Sequence, residues 1–275
     1  MNQLYWAIKV LKELVTLYTH KMYTSYEERL ALFQQLSDGS QAFHAKIPTA
    51  VHIKGDGWEL TSSDSRFGMF NGVSISSARK NLVEEVVKVL ATHKIPSDIR
   101  LIGPGISQIA ALAEHGYKNL GGTPFMMWSA NNSIDAFRMR DQLTVRRLNE
   151  SDIEAMCAIY LDVYGMGEEM IHDFKRMLFA SSNDFTYGLF KDNELVSLVT
   201  AMVYQDTVGI WSMGTPTAHQ KNGYGLQLLM HVMQTHKNMG AKNFFLHASS
   251  AGKHLYDKCG WITLDYLPYL TKVNN

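Results

Sequence analysis

The sequence predicts a mixed α/β protein built as two consecutive domains of related plan. Three observations carry this. Apolar residues switch repeatedly between strand-like and helix-like spacing along the chain. The order of those elements before Trp128 recurs, in broad outline, after Leu143. Between the two runs lies a polar, charged stretch, residues 131–142, without strong apolar periodicity, which reads as a connection. With 275 residues, 46% of them apolar, the chain is long enough for two well-packed cores.

Taken in order, Leu4, Ile8, Leu11, Val15 and Tyr18 recur at helical spacing, and a second helix is expected over residues 26–36. Ser37-Asp38-Gly39-Ser40 then breaks the pattern, so a helical hairpin opens the chain. Strands are expected at 50–53, 58–61 and 67–75, the first two joined by a Gly55-Asp56-Gly57 turn. A helix over 77–93 puts Val83, Val86, Val87 and Leu90 on one face, followed by a strand at 99–102, a short helix at 107–115 and a strand at 125–128.

The second run has a strand at 143–147 and helices at 151–163 and 168–180. A hairpin of 185–190 and 195–204 turns at Asn193, and 206–214 forms the next strand. Leu226, Leu229, Met230 and Met233 mark a helix ended by Gly240. A strand at 243–247 and a short helix at 249–259 closed by Gly260 complete the reading. Residues 107–117 parallel residues 252–261, each a short helix followed by glycine and an aromatic residue. The domains are therefore expected at 1–138 and 139–275.

Composition excludes several classes of function. Twenty-six basic and 26 acidic residues are spread along the chain, leaving no basic footprint for nucleic acid. Only Cys157 and Cys259 are present, far apart and without nearby metal-ligand partners, which fits a reducing compartment and implies no metal site. The segment 4–23 is interrupted by Lys9, Lys12, Glu13 and Lys21, so it is expected to be neither a secretion signal nor a membrane span. A cytoplasmic protein, monomeric or homodimeric, is expected.

The chemistry is expected where the 206–214 strand runs through a Gly-rich turn into a helix. The first turn of a helix leaves backbone N–H groups without partners and carries the positive end of the helix dipole. Gly223 and Gly225 let the backbone approach a phosphate without Cβ atoms in the way. The Walker pattern is absent, and Gln227 and Leu228 do not supply the third glycine of a dinucleotide fold.

The run Gln220-Lys221-Asn222-Gly223-Tyr224-Gly225 resembles the Gln/Arg-x-x-Gly-x-Gly/Ala loop of the GCN5-related N-acetyltransferase (GNAT) family. The run from His247 to Trp261, with Tyr256 four residues before Gly260-Trp261, resembles that family's ending. The likeness covers the chain from Leu143 onward, departing where Gln220 replaces the frequent arginine and Trp261 the commoner phenylalanine.

That resemblance implies two tandem acyl-CoA N-acyltransferase-like domains, each a mixed, mostly antiparallel sheet flanked by helices, with the first degenerate. It implies acetyl-coenzyme A as co-substrate, no metal, and direct transfer of an acetyl group to a primary amine of a small molecule or protein. Tyr256 is implied as the general acid. Met213, Gly214 and Thr215 would pair with the pantetheine arm, while residues 220–225, Leu226 and Ser249 would complete the coenzyme site. For the general base, Asp206, His219 and His247 are the candidates in view, and none is assigned. The first half has no glycine pair in residues 74–79 and has Leu112 where the second half has its tyrosine. A non-catalytic acyl-CoA sensor is the alternative function.

Overall fold

A computed structural model of the chain describes residues 31, 50–63, 65–134, 137–177 and 184–272. The helical hairpin expected over residues 4–36 lies, apart from residue 31, outside the described residues. The first half contains β1 (Val51–Gly55), β2 (Trp58–Ser62), β3 (Asn71–Ile75), α1 (Leu82–His93), β4 (Asp98–Leu101), α2 (Ile109–Glu114) and β5 (Tyr117–Ser129). The second contains β6 (Leu143–Arg147), α3 (Ile153–Tyr164), α4 (Glu168–Met177), β7 (Asp184–Lys191), β8 (Glu194–Tyr204) and β9 (Thr207–Gly214). It continues with α5 (Tyr224–Asn238), β10 (Asn243–His247), α6 (Ser250–Lys258) and β11 (Ile262–Lys272).

The described strands form one sheet in the order β1-β2-β3-β4-β11-β5-β10-β9-β8-β7-β6. It is mostly antiparallel, as expected, with parallel pairs at β3–β4 and β9–β10. Helix α5 covers one face, its Leu228, Leu229, Val232 and Met233 sharing a core with Val199, Ala201 and Val208. Helices α3 and α4 cover the other, where Ile159, Tyr160 and Phe174 pack with Leu198. Leu198 and Val199 are neighbours in one strand, and alternation along a strand sends them to opposite faces.

The halves are joined by an exchange of strands. β11, the last element of the second half, inserts between β4 and β5, and β5 inserts between β11 and β10. Leu270 of β11 is fully buried in the first half's core with Leu60, Val73 and Ile99. Met126 and Trp128 of β5 lie in the second half's core with Val208 and Phe244. The sheet therefore runs unbroken across the connection between β5 and β6.

Several expectations need correction. No strand was expected after Trp261, because Asp265, Tyr266 and Pro268 interrupt the alternation. β11 absorbs them with register shifts at 263–265 and 268–270. β5 begins at Tyr117 instead of 125, since its polar start at Lys118 and Asn119 lacks an apolar strand pattern. Gly122 within it lets β11 pass closely, since a Cβ there would lie 2.8 Å from that of Tyr266. The helix expected from 77 starts at Leu82, after Asn81 adopts a left-handed conformation (φ 61°). A 3₁₀ turn at Gly68–Phe70 precedes β3, and another at Gly103–Gln108 takes up the start of the 107–115 helix. The 185–204 hairpin turns as expected, with Asp192 and Asn193 both at positive φ, the geometry of a two-residue type I′ loop.

Candidate functional site

β9 and β10 pair at three positions only, Thr207–Asn243, Val208–Phe244 and Gly209–Phe245. β9 then continues to Gly214 and β10 to His247 without further pairing, so the sheet forks between them. A bulge sharpens the departure. Trp211 faces Thr200 and Gly214 faces Leu198 on β8, leaving one extra residue on β9, and Ser212 carries φ 47°. Past the fork, β9 presents a backbone edge that an extended ligand can join as an added strand.

From this edge the chain turns through Thr215 and Pro216, a 3₁₀ turn at Thr217–His219, and residues 220–223 into α5. Side-chain amides hold the turn. Gln220 Nε2 donates to the Thr215 carbonyl (3.2 Å), and Asn222 Nδ2 donates to the carbonyls of His219 (3.1 Å) and Gln220 (3.2 Å). Lys221 (φ 63°) and Gly223 (φ 76°) both take left-handed conformations, which only the glycine adopts without strain. The Gln227 N–H reaches the Gly223 carbonyl (3.0 Å), while those of Tyr224, Gly225 and Leu226 find no acceptor among the described residues. They form the open, electropositive end of α5. Gly225 lets that end sit against β9, since a Cβ there would meet Met213 Cε at 3.1 Å and Thr215 Oγ1 at 3.4 Å.

Tyr256 closes the other side. Ser249 starts its helix by accepting the Gly252 N–H at Oγ (3.0 Å), an N-cap role for a residue expected to line the coenzyme. The Tyr256 ring is buried, and its hydroxyl donates to Met213 Sδ (3.5 Å) at the bulge. Burial, with Cys259 a second cause, pushes its hydroxyl up to about 12, so it stays protonated at neutral pH. The Tyr164 hydroxyl donates to the Met213 carbonyl (2.7 Å) and titrates above its ordinary value through desolvation first and Tyr256 second. The thiol of Cys259 is pushed up to about 11 by burial, which removes thiolate chemistry there.

The base candidates separate. Asp206 pairs with Lys242 (2.9 Å) at the far end of β9, away from the fork. His219 pairs with Glu194 (3.0 Å). His247 stands at the fork, its imidazole pushed down to about 3 by burial first and by Arg100 second. Among the described residues no group of three or more His, Cys, Asp or Glu is gathered to hold a metal, and no helix is long and apolar enough to cross a membrane.

Sequence reasoning missed Arg140. The connection between the halves crosses the start of α5, where the Arg140 N–H donates to Gln227 Oε1 (3.1 Å) and Nη1 to the Asn222 carbonyl (2.9 Å). Nη2 lies 2.9 Å from where a Cβ on Gly223 would sit. A guanidinium therefore stands beside the open N–H groups, brought from 82 positions away, a separation at which no local pattern exists.

The fork, the loop and Tyr256 all fall within residues 153–261, which match the model of the acetyltransferase (GNAT) family. This stretch is a GNAT-family domain. GNAT enzymes use acetyl-CoA as co-substrate and act on amines. In overall fold the chain is similar to a GCN5-related N-acetyltransferase from Kribbella flavida (TM-score 0.67, 14% identity), over 87% of this chain and 95% of that one. It is similar to another from Sphaerobacter thermophilus (TM-score 0.56, 12% identity), over 78% and 76%. A Drosophila protein shares the fold over 97% of this chain and 96% of its own, at 16% identity and TM-score 0.57. Among curated protein sequences there is no match.

Proposed function

We propose that this chain is an N-acetyltransferase that moves the acetyl group of acetyl-CoA directly to a primary amine, with the chemistry in residues 139–275. The observation that carries the reading is the Tyr256 hydroxyl at the Met213 bulge, beside the fork and across from the open end of α5. The N–H groups of Tyr224, Gly225 and Leu226 take the coenzyme's pyrophosphate, with the loop from Gln220 to Gly223 around it. The pantetheine arm runs along the β9 edge at Met213, Gly214 and Thr215.

The neutral amine attacks the thioester carbonyl carbon, and its lone pair forms the new C–N bond. The C–S bond then breaks with its electrons going to sulfur, and Tyr256 returns a proton to the departing thiolate. A phenol held at about 12 keeps that proton at neutral pH until the thiolate forms. The amine's proton leaves to water in the cleft.

The first half, residues 1–138, is a degenerate relative that holds no coenzyme. Its parallel strands stay paired from Gly72–Asp98 to Ile75–Leu101, with no fork. Gly105 is packed onto their end, since a Cβ there would lie 2.1 Å from the Ile75 carbonyl oxygen. The first turn of α1 carries its own anion, Glu85, which accepts from Trp58 Nε1 (2.7 Å) and Arg79 Nη2 (2.6 Å). Leu112, at the place of Tyr256, is fully buried in the core.

The test is release of free thiol from acetyl-CoA across a panel of primary amines. Tyr256→Phe is expected to lower kcat by ~10²–10⁴-fold with acetyl-CoA affinity nearly unchanged. A protein that binds acetyl-CoA yet releases no thiol with any amine contradicts transfer and favours a sensor.

A further inference from the structure

Met213 is touched by two phenols. The Tyr256 hydroxyl donates to its Sδ (3.5 Å), and the Tyr164 hydroxyl donates to its carbonyl (2.7 Å). The proposed reaction uses the first and gives no task to the second.

Tyr164 is the last residue of α3, and that helix meets β9 at Gly214. A Cβ on Gly214 would lie 3.1 Å from Ile159 Cγ2 and 3.4 Å from Val163 Cγ2, so the glycine lets the end of α3 sit directly on the strand. The neighbours of Val163 are turned about 100° from it, one to each side of the helix. These are Asp162 and Tyr164, and they reach the chain on either side of Gly214. Asp162 Oδ2 accepts the Thr217 N–H (2.6 Å) and Oδ1 the Thr217 hydroxyl (3.3 Å), while Tyr164 holds Met213. The last turn of α3 therefore grips residues 213–217 at both ends. One turn earlier, Tyr160 packs edge-on against Phe174 of α4 (4.7 Å between ring centroids), and Phe174 stacks on Phe70 of the first half (5.7 Å).

A peptide unit is planar, so a donor on the Met213 carbonyl sets the orientation of the whole unit that joins Met213 to Gly214. That unit follows Ser212, whose φ of 47° persists only where surrounding contacts over-determine it. The next two carbonyls are held as well, that of Gly214 by Ser197 Oγ (2.9 Å) and that of Thr215 by Gln220 Nε2 (3.2 Å). Tyr164 differs from these donors in holding the residue whose thioether accepts from Tyr256. Desolvation first and Tyr256 second raise the Tyr164 hydroxyl, so it remains a donor at neutral pH and lies within electrostatic reach of the acid.

Resting on the acetyl-transfer reading above, we infer that Tyr164 is a positioning residue for the reaction. Its hydroxyl fixes the Met213 bulge, and through Met213 it holds the Tyr256 hydroxyl where the thiolate forms. Asp162 supports the same segment from its other end.

The experiment is a double-mutant cycle on Tyr164→Phe and Tyr256→Phe. It is read as kcat and KM for thiol release with the best amine of the panel, with single-turnover rates for slow variants, and as acetyl-CoA affinity by calorimetry. Phenylalanine keeps the ring of Tyr164 and removes only the hydroxyl. Alone, Tyr164→Phe is expected to lower kcat by roughly 10–100-fold with acetyl-CoA affinity within about threefold, as a misplaced reacting group does. In the Tyr256→Phe background the same change is expected to cost about threefold or less, because the acid it positions is gone. Asp162→Ala is expected to lower kcat in the same direction and to lose its effect in the same background. A merely structural role lowers Tm with kcat unchanged, or gives the same fold-loss in both backgrounds. Either result, or a loss confined to acetyl-CoA affinity, overturns the inference while leaving acetyl transfer standing. A wild type that binds acetyl-CoA but releases no thiol with any amine overturns both.

Discussion

Leu270→Ala tests the strand exchange that joins the two halves. Leu270 belongs to the last strand of the second half, yet its side chain is fully buried in the first half's core. Its backbone pairs with Ile99 on one side and Asn119 on the other. Truncating a buried leucine costs ~2–5 kcal/mol, from lost transfer energy and the cavity left behind. A loss of about 3 kcal/mol lowers Tm by roughly 6–12 °C in a chain somewhat larger than ~200 residues. The informative readout is whether the two halves respond together. Thermal melts would follow Trp58, buried in the first core, in a variant with the other tryptophans replaced, alongside loss of acetyl-CoA binding in the second half. Because β11 is hydrogen-bonded into both β4 and β5, both signals are expected to fall in one transition and to shift equally. A first half that melts early while acetyl-CoA binding keeps its original midpoint refutes the shared-sheet reasoning. The same geometry predicts that residues 139–275 alone, lacking β5 between β10 and β11, do not form the fork.

Two further predictions concern charge. Arg140→Ala is expected to weaken acetyl-CoA about tenfold and to flatten the dependence of binding on salt, read by calorimetry at two ionic strengths; unchanged affinity limits Arg140 to holding the loop. His236 is buried against Tyr187 and Phe185 and is pushed down to about 4, by burial first and Arg147 second. Between pH 6.5 and about 4 the unfolded chain takes up a proton that the folded chain refuses, so stability falls as pH drops through this window. The full effect is about 3 kcal/mol from this group. Urea melts of the wild type and His236→Gln across that range measure it, and a wild type no more acid-sensitive than the variant contradicts the assignment.

The second half was legible because its signals are local. The paired glycines, the helical stripe after them and Tyr256 before Gly260-Trp261 lie in one short stretch, and the structure brings them around one fork. The hairpin turn at Asn193 was equally readable, since asparagine tolerates the positive φ that it and Asp192 adopt there. What escaped the sequence depends on partners far along the chain. β11 breaks alternation because its long pairing with β5 shifts register twice, and only Tyr269 and Leu270 also pair with β4 on the other edge. Arg140 looks like an ordinary surface residue until the fold carries it to the loop before α5. The bulge at Ser212 has no sequence signature, being a non-glycine residue at φ 47°.

The central claim is that one acetyl-CoA binds per chain, its phosphates at the start of α5. Calorimetric titration of the full chain measures this directly, together with Gly223→Val, which places a branched side chain at φ 76° against the Arg140 guanidinium. One acetyl-CoA per chain is expected for the wild type and little or no binding for the folded variant. Two equivalent sites, no site, or a variant that binds as the wild type does contradicts the account.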